Sequence, residues 1–352
     1  MPQVLMIGPS LKVRGGMTSV EEILLNSKNE LSRNLIFLPS YEQANKAKKF
    51  VLMIKAFIEV VYKLLTIKDI GIIYVHVSHY ASFFRKSLFA FVGRVFKKTI
   101  IFHMHGSDFD IFYRECPDLI KKYIRYTLSK TTKLIVLTNE WKNFYKSITD
   151  DKKIEVVYNS VNVPERNKYN ADGCYITYLG MLCNRKGIYD ILKVIPDILS
   201  GFPDVKFVLA GDGEINKVRS EVQKYASDFS HNIIVPGWID KQQKNEILEK
   251  TVIYLLPSYN EGLPMSVLEA MSYGIPVITT NIGGLSEVIK TDKHGVLISP
   301  GDVDELKGSI LRLLEDRQIR MDISNCCYNE ILNNFNANFF IKRISDIFNT
   351  IN

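Results

Sequence analysis

Residues 252–271 read VIYLLPSYNEGLPMSVLEAM, which predicts a strand, a loop and the start of a helix. The first five residues are apolar and rich in branched and aromatic side chains, as in a buried strand of a parallel sheet. Pro264 suits the first turn of a helix, because its missing N–H would have no partner there. Glu261 is therefore expected in the loop and Glu269 within the first two turns of the helix.

Short apolar runs of this kind alternate with helical segments along the whole chain, which predicts parallel sheets covered by helices. Twelve runs are expected to be strands: 4–7, 35–38, 72–76, 99–103, 134–137, 154–157, 175–179, 206–210, 233–235, 252–256, 277–280 and 295–298. This order predicts an α/β protein with two successive doubly wound, Rossmann-like domains. The polar stretch 164–173 predicts a linker, and apolar residues at helical spacing in 338–351 predict a final helix.

The composition is that of an ordinary globular protein. The chain has 352 residues, 46% hydrophobic and 24% charged, enough for two domains without disulfide support. Its five cysteines are odd in number and include no C-x-x-C pair, which predicts no disulfide framework and a reducing compartment. With no signal peptide recognised before the strand at 4–7, we expect a cytoplasmic protein.

The charge is unevenly distributed between the two halves. Residues 1–170 contain 27 basic and 15 acidic residues, a net charge of +12, whereas the remainder carries −5. A basic half attracts phosphates or an anionic surface. Nucleic acid is a poor explanation, because the cations are scattered over strands and helices and form no nucleic-acid motif.

The apolar stretch 51–65 is too short to span a bilayer and has two interpretations. It is either a mostly buried helix of the first domain or a helix lying on the membrane interface. The second interpretation predicts peripheral contact with an anionic membrane. The cations expected to face that membrane are Lys46, Lys48, Lys49, Arg85, Lys86, Lys97 and Lys98.

The loop and helix at 257–271 carry the chemistry that is most informative. Free amides at a helix start form a phosphate site. Ionised carboxylates such as Glu261 and Glu269 accept hydrogen bonds from hydroxyls on either side of it. A sugar, a diphosphate and a ribose in one ligand fit all three features. The alternative is that Glu261 caps the helix and Glu269 is merely exposed.

Two further strand-end loops suit a phosphorylated ligand. Residues 180–187 contain the adjacent cations Arg185 and Lys186, which could neutralise a leaving diphosphate. In the loop at 8–17, Gly15 and Gly16 permit close backbone approach to a ligand. The spacing is not G-x-G-x-x-G, so a dinucleotide cofactor is disfavoured.

The pair His103 and His105 follows the strand at 99–103 and could bind a metal. No third and fourth ligand group is evident at suitable spacing, so no metal site is predicted. His103 is expected to point into the sheet.

The string from Glu261 onward resembles the motif of glycosyltransferase family 4: a Glu, seven residues, Glu269, then Ala-Met, and Gly-x-Pro-Val at 274–277. The resemblance covers essentially the whole chain and is strongest at 175–300. It implies the GT-B fold, with a cleft between the domains and a last helix that crosses back. We expect an acceptor-side domain at 1–165, a nucleotide-sugar-binding domain at 171–335 and the crossover helix at 336–352.

The resemblance also implies roles for individual residues. The first Glu of the motif contacts the transferred sugar and the second contacts the ribose. Met181 stands where the family usually has an Arg, so Arg185 beside Lys186 is expected to supply the missing charge. The implied catalytic residues are His105, Glu261, Arg185 and Lys186. The implied donor-binding residues are Gly15, Gly16, Gly262, Leu263, Met265, Ser266 and Glu269.

The sequence thus predicts a retaining, metal-independent hexosyltransferase with no cofactor. Its donor would be a nucleotide-diphosphate sugar, most simply a UDP-sugar. Its acceptor would be a glycan or a lipid-linked glycan of bacterial surface polysaccharide, such as capsule or lipopolysaccharide. A sugar-nucleotide epimerase of the same fold is the alternative, and a non-catalytic nucleotide-binding relative is a third.

Overall fold

A computed structural model describes residues 2–351, without the side chain of Lys46. Its contacts divide the chain into two compact units, each built on a six-stranded parallel sheet. The first unit contains residues 1–160 and 337–352, and the second contains residues 161–336. The predicted pair of doubly wound α/β sheets is confirmed.

In the first unit the strands follow the order β2-β1-β3-β4-β5-β6. They are β1 (Gln3–Gly8), β2 (Leu35–Pro39), β3 (Ile70–Val77), β4 (Thr99–Met104), β5 (Lys133–Val136) and β6 (Ile154–Val156). The helices are α1 (Gly16–Asn26), α2 (Lys46–Thr66), α3 (Ala81–Val95), α4 (Phe109–Glu115), α5 (Asp118–Ser129) and α6 (Asn139–Lys146). Because crossovers between parallel strands are right-handed, α2, α3 and α5 cover one face of the sheet and α1 covers the other.

In the second unit the order is β12-β11-β10-β7-β8-β9. The strands are β7 (Tyr175–Leu179), β8 (Lys206–Ala210), β9 (Ile233–Gly237), β10 (Thr251–Leu256), β11 (Val277–Thr280) and β12 (Gly295–Ile298). The helices are α7 (Ile188–Gly201), α8 (Ile215–Tyr225), α9 (Lys241–Leu248), α10 (Met265–Ser272), α11 (Leu285–Val288), α12 (Val303–Glu315) and α13 (Arg317–Asn334). All six residues of β10 are buried, as its continuous apolar run predicts.

The final helix, α14 (Ala337–Asn349), belongs to the first unit, so the chain crosses back as predicted. Its apolar side faces the sheet: the Phe348 ring lies 5.4 Å from the ring of Tyr74, edge to face. On its outer side Arg343 donates a hydrogen bond of 2.8 Å to Glu155.

The stretch 164–173, which the sequence predicts as the linker, is an ordered part of the second unit. It packs on the second unit, where the Tyr328 hydroxyl donates to the Pro164 carbonyl at 2.8 Å and the Asn167 amide donates to Ser324 at 3.0 Å. Asn170 also accepts the backbone N–H of Asp172 at 3.0 Å. Polar side chains here satisfy a packed irregular backbone, a use that composition does not distinguish from a solvated linker.

Helix α2 is not mostly buried, which corrects the first interpretation of its apolar sequence. Ala56, Val60 and Leu64 are buried, while Ile58 and Leu65 are each about 60% exposed. None of the helices that the structure describes is long and apolar enough to cross a membrane.

Candidate active site

Glu261 lies in the loop between β10 and α10, with 4% of its surface exposed. Its Oε1 accepts hydrogen bonds from the Ser258 hydroxyl at 2.7 Å and from Lys186 Nζ at 2.5 Å. Lys186 comes from the loop after β7, the strand that pairs with β10. The parallel topology thus brings together two residues 75 positions apart, and the lysine offsets the cost of burying the carboxylate.

Glycines let the neighbouring loops pack backbone to backbone around Glu261. Gly283 has φ of 52°, and a Cβ there would lie 2.2 Å from the Glu261 carbonyl oxygen. Gly187 has φ of 74°, and a Cβ there would lie 2.0 Å from the Pro257 carbonyl oxygen. Any side chain at either position would push the loop that holds Glu261 away.

Arg185, the other predicted cation, bonds to the loop that holds Glu261. Its Nη1 donates to the Asn260 carbonyl at 2.8 Å, and its own carbonyl accepts the Tyr259 N–H at 2.8 Å. Met181, which stands at the usual arginine position, is 53% exposed. Among these contacts, Arg185 fixes the backbone beside Glu261 and Lys186 supplies the positive charge at its carboxylate.

Glu269 lies in the second turn of α10 and pairs with a residue that the sequence did not reveal. Lys244 Nζ from α9 donates to its Oε1 at 2.6 Å, and both side chains remain about a quarter exposed. No motif marks Lys244, since its position depends on how α9 packs beside α10.

The remaining predicted donor-binding residues of this unit lie at the start of α10. Gly262 and Leu263 are buried in the loop, and the Gly262 carbonyl accepts the N–H of Gly284 at 2.8 Å. Met265 and Ser266 are the first two residues of the helix, which has no side-chain cap. Amides in a first turn have no acceptor within the helix, so this end can hold an anion.

In the first unit, His105 follows β4 and is part of a cluster of three histidines. Its Nε2 lies 2.9 Å from Nδ1 of His76, at the end of the neighbouring strand β3. His103 is fully buried, as predicted, and its Nδ1 lies 2.6 Å from the Tyr74 hydroxyl. The sequence shows no third ligand group near the His-x-His pair. In the structure the pairing of β3 with β4 places His76 beside it.

The three imidazoles could supply ligand atoms to a metal, since those atoms lie within 4.8 Å of one another. Two of their nitrogens are engaged in the His76–His105 bond, and burial lowers the pKa of His76 and His103 well below the usual range. Burial and the nearby Lys86 ammonium lower the pKa of His105 to about 3. The rings are therefore neutral at physiological pH.

Lys86 is not one of the surface cations that the sequence predicts, because only 1% of it is exposed. Its Nζ donates to the Ser40 hydroxyl at 2.5 Å and approaches the Ile7 carbonyl at 3.4 Å. Ser40 in turn donates to the Gly8 carbonyl at 2.8 Å. Burial lowers the pKa of Lys86 to about 7, and these bonds fix the end of β1.

Glu21 on α1 belongs to the same buried polar cluster as Lys86, Ser40 and His76. It is fully buried, and among the described residues neither carboxyl oxygen has a hydrogen-bond partner. Burial raises its pKa to about 8, an effect that Lys86 partly offsets. A Cβ at Gly8 would lie 1.6 Å from Glu21 Oε1, so a larger residue at the end of β1 would force the Glu21 side chain to move.

The glycine-rich loop follows directly from this end of β1. Gly15 has φ of 147°, and α1 begins at Gly16. Both glycines are exposed, so their backbone is open to a ligand. The structure thus groups Glu261, Lys186, Arg185 and the start of α10 in the second unit, and His105 with its neighbours in the first.

Comparison with known proteins adds three findings. Residues 162–329 match the family model described as glycosyl transferases group 1. Over 310 residues, covering 82% of this chain and 77% of the relative, the sequence is 27% identical to the UDP-Gal:alpha-D-GlcNAc-diphosphoundecaprenol alpha-1,3-galactosyltransferase of Escherichia coli.

The third finding is structural. Sucrose-phosphate synthase from Thermosynechococcus elongatus superposes with a TM-score of 0.78 at 15% identity, over 100% of this chain and 99% of that one. Anabaena HepE in complex with UDP and glucose superposes with a TM-score of 0.77 at 14% identity, over 100% of both chains. These neighbours show the GT-B fold, and the sequence matches support a glycosyltransferase.

Proposed function

We propose that this chain is a retaining hexosyltransferase that moves a sugar from a UDP-sugar to a glycan or lipid-linked acceptor. The observation that carries the proposal is the contact of Lys186 with Glu261, next to an uncapped helix start. The relative from Escherichia coli supports the donor and acceptor classes, because its name specifies a UDP-sugar and a diphospholipid-linked acceptor. Bacterial surface polysaccharide is the product that this comparison favours.

Each group of the second unit has a role in donor binding. Glu261 accepts hydrogen bonds from hydroxyls of the transferred sugar. The diphosphate lies against the first-turn amides of α10, where the helix dipole favours an anion. Glu269 accepts the ribose hydroxyls, sharing its carboxylate with Lys244. Arg185 keeps the loop of Glu261 in place through the Asn260 carbonyl.

Transfer then requires no proton donor on the protein. The bond between the sugar C1 and the phosphate oxygen breaks, and charge grows on the departing diphosphate. Lys186 and the α10 amides stabilise that charge. The acceptor oxygen bonds to C1 on the same face of the sugar, and its proton passes to the phosphate oxygen that has just been released. The configuration at C1 is retained.

Residues of the first unit serve the sugar and the acceptor. Neutral His105 can donate or accept a hydrogen bond with a sugar hydroxyl, while its Nε2 is engaged with Nδ1 of His76. The exposed Gly15 and Gly16 leave the backbone of the first unit open to a phosphate or a hydroxyl of the acceptor. A lipid-linked acceptor would place the reaction at the cytoplasmic face of the membrane.

A donor screen tests this proposal. Calorimetry with UDP-, GDP- and ADP-sugars should give the tightest binding for a UDP-sugar. Incubation with the donor and lipid-linked acceptors should yield a product whose anomeric proton coupling matches that of the donor. Conversion of the donor into its epimer without any acceptor would overturn the proposal in favour of an isomerase, and inverted product would overturn retention.

A further inference from the structure

Three helices of the first unit each present a stripe of large apolar side chains to solvent. On α3 the exposed residues fall at positions 84, 88, 91 and 95, and on α5 at 119, 123 and 126, which is helical spacing along one side. On α2 the stripe is longer still. The exposed residues of the three helices are Phe50, Val51, Ile54, Ile58, Tyr62, Leu65, Phe84, Leu88, Phe91, Val95, Leu119, Tyr123 and Tyr126.

These stripes belong to one surface, which we call the apolar face. Helices α2, α3 and α5 join consecutive strand pairs on the same side of the sheet, so they lie next to one another. Helices α3 and α5 touch: the Phe84 and Tyr123 rings stack at 5.9 Å, and the Ser87 and Tyr123 hydroxyls lie 2.6 Å apart. The outer sides of the three helices therefore form a continuous exposed patch.

Between α3 and α5 the apolar face deepens into an open groove of about 580 Å³. Its lining residues are Phe84, Leu119, Ile120, Lys122, Tyr123 and Tyr126. Leu119, at the edge of the groove, is 77% exposed, the largest value among the large apolar side chains described. Such a wall of aromatic and aliphatic carbon fits a hydrocarbon chain better than a sugar or a nucleotide.

The second unit shows that this exposure is not general. Of the exposed large apolar residues described, thirteen lie on the apolar face and only six lie in the second unit, on separate elements. Contiguous apolar patches of this kind are rare on soluble monomers and mark interaction surfaces.

Exposed cations outnumber exposed acids on these helices, which favours an anionic partner. Lys48, Lys55, Lys122, Arg125 and Lys130 are exposed on these helices or at their ends. Arg94 lies over the rings of both Phe91 and Tyr126, at 5.8 Å and 5.9 Å. Aromatic rings, aliphatic side chains and cations on one side of a surface are the composition of a protein face that rests on an anionic membrane.

We propose that the apolar face docks the enzyme on an anionic lipid bilayer and that its groove takes one hydrocarbon chain from that bilayer. The inference rests on the proposed function, since a lipid-linked acceptor would be met at such a surface. It revises the cation set that the sequence predicts: Lys86 is buried inside the unit, the side chain of Lys46 lies outside the described part, and α5 adds cations that the sequence prediction does not include.

Flotation of the full chain with vesicles tests the docking. Vesicles of phosphatidylcholine with phosphatidylglycerol should recover the protein, vesicles of phosphatidylcholine alone should recover much less, and added salt should reduce recovery. The double variant Phe91→Asp/Leu119→Asp should lower recovery at least about tenfold, since it puts charges into the apolar contact. Leu332→Asp, on an exposed apolar position of the second unit, should leave recovery unchanged.

Two further measurements separate this proposal from its rivals. Donor binding by the double variant should equal that of the unaltered chain, which shows intact folding, while Glu261→Gln should impair transfer without changing flotation. Equal recovery of the double variant and the unaltered chain would overturn the docking. So would a dimer that the double variant dissociates without vesicle binding, or an effect confined to the KM of a detergent-solubilised lipid acceptor.

Discussion

Each unit places a lysine and a glutamate near the carboxyl end of its sheet, but the two units hold these charges differently. In the second unit the charges touch: Lys186 lies 2.5 Å from Glu261 and Lys244 lies 2.6 Å from Glu269. In the first unit Lys86 bonds to Ser40, and Glu21 has no hydrogen-bond partner among the described residues.

The difference lies in pairing, since Glu261 is buried as well. Charges in a low-dielectric interior either pair or lose their charge. The lysine–glutamate pairs of the second unit lie in loops and helix surfaces where ligand phosphates and hydroxyls can join them. In the first unit, burial shifts the pKa of Glu21 up to about 8 and that of Lys86 down to about 7, so the neutral acid form of Glu21 is favoured. The second unit therefore holds its charges in contact, whereas the first lowers the charge of its buried carboxyl.

The largest effect should come from breaking the touching pair that faces the leaving group. We expect Lys186→Met to lower kcat by about 10²–10³, roughly 2.7–4 kcal/mol, because the departing diphosphate loses a fixed cation. The surface pair Lys168 and Glu249, 2.9 Å apart, provides the control: Lys168→Met should retain nearly full activity. Steady-state kinetics of both variants at saturating donor measures the contrast.

A variant of Arg185 provides a comparison for Lys186→Met, because the Arg185 guanidinium already bonds to the Asn260 carbonyl. We expect Arg185→Ala to cost less in kcat than Lys186→Met. Equal losses in the two variants would show that both cations act on the diphosphate, as the sequence analysis expects. A Lys186→Met enzyme with unchanged kcat would remove this lysine from the reaction altogether.

The second prediction concerns the pair at the ribose end. Glu269→Ala should weaken binding of the free nucleoside diphosphate by roughly 1.5–3 kcal/mol, since charge-assisted hydrogen bonds to the ribose are lost. Calorimetry with UDP measures this directly. Lys244→Met should leave affinity nearly unchanged if Lys244 only balances the charge of Glu269. Unchanged UDP affinity in Glu269→Ala would place the ribose elsewhere.

The same contrast explains what could be predicted from the sequence. The strands, the fold and the neighbourhood of Glu261 follow from local patterns, since a strand followed by a glycine- and proline-marked loop places its residues at one sheet edge. The position of Lys186 near Glu261 could be predicted because Lys186 follows the adjacent strand. The contact of Lys244 with Glu269 could not be predicted, because it depends on how two helices pack.

The buried cluster in the first unit could not be predicted from the sequence. Glu21, Ser40, His76 and Lys86 come from separate elements and carry no spacing that relates them. A lysine in an apolar helix most often extends to solvent, so Lys86 was predicted on the surface. Gly8 lies beside Glu21, whereas the sequence alone indicates only that Gly8 ends a strand.

The last prediction tests whether Glu21 is uncharged in the folded chain, and its effect is the smallest. A carboxyl whose pKa is about 8 in the folded chain and 4.5 when unfolded binds an extra proton on folding between those values. Its contribution to stability is complete below pH 4.5 and is lost as pH rises toward 8.

Lys86, with a pKa of about 7 in the folded chain, stays largely protonated in both states below that pH, so the window from pH 5 to 7 isolates Glu21. The other titratable neighbours, His76, His103 and His105, keep low pKa values and add an opposing slope mainly near pH 6.5 and below. Glu21→Gln removes only the pH dependence that Glu21 contributes. The unfolding free energy of this variant should therefore rise by about 1 kcal/mol per pH unit relative to the unaltered chain.

Urea unfolding of both proteins across this window measures the difference, with Glu22→Gln on the exposed side of the same helix as the control. Parallel curves for Glu21→Gln and the unaltered chain would mean that Glu21 is ionised in the folded protein and paired with Lys86, and the two units would then hold their charges in the same way.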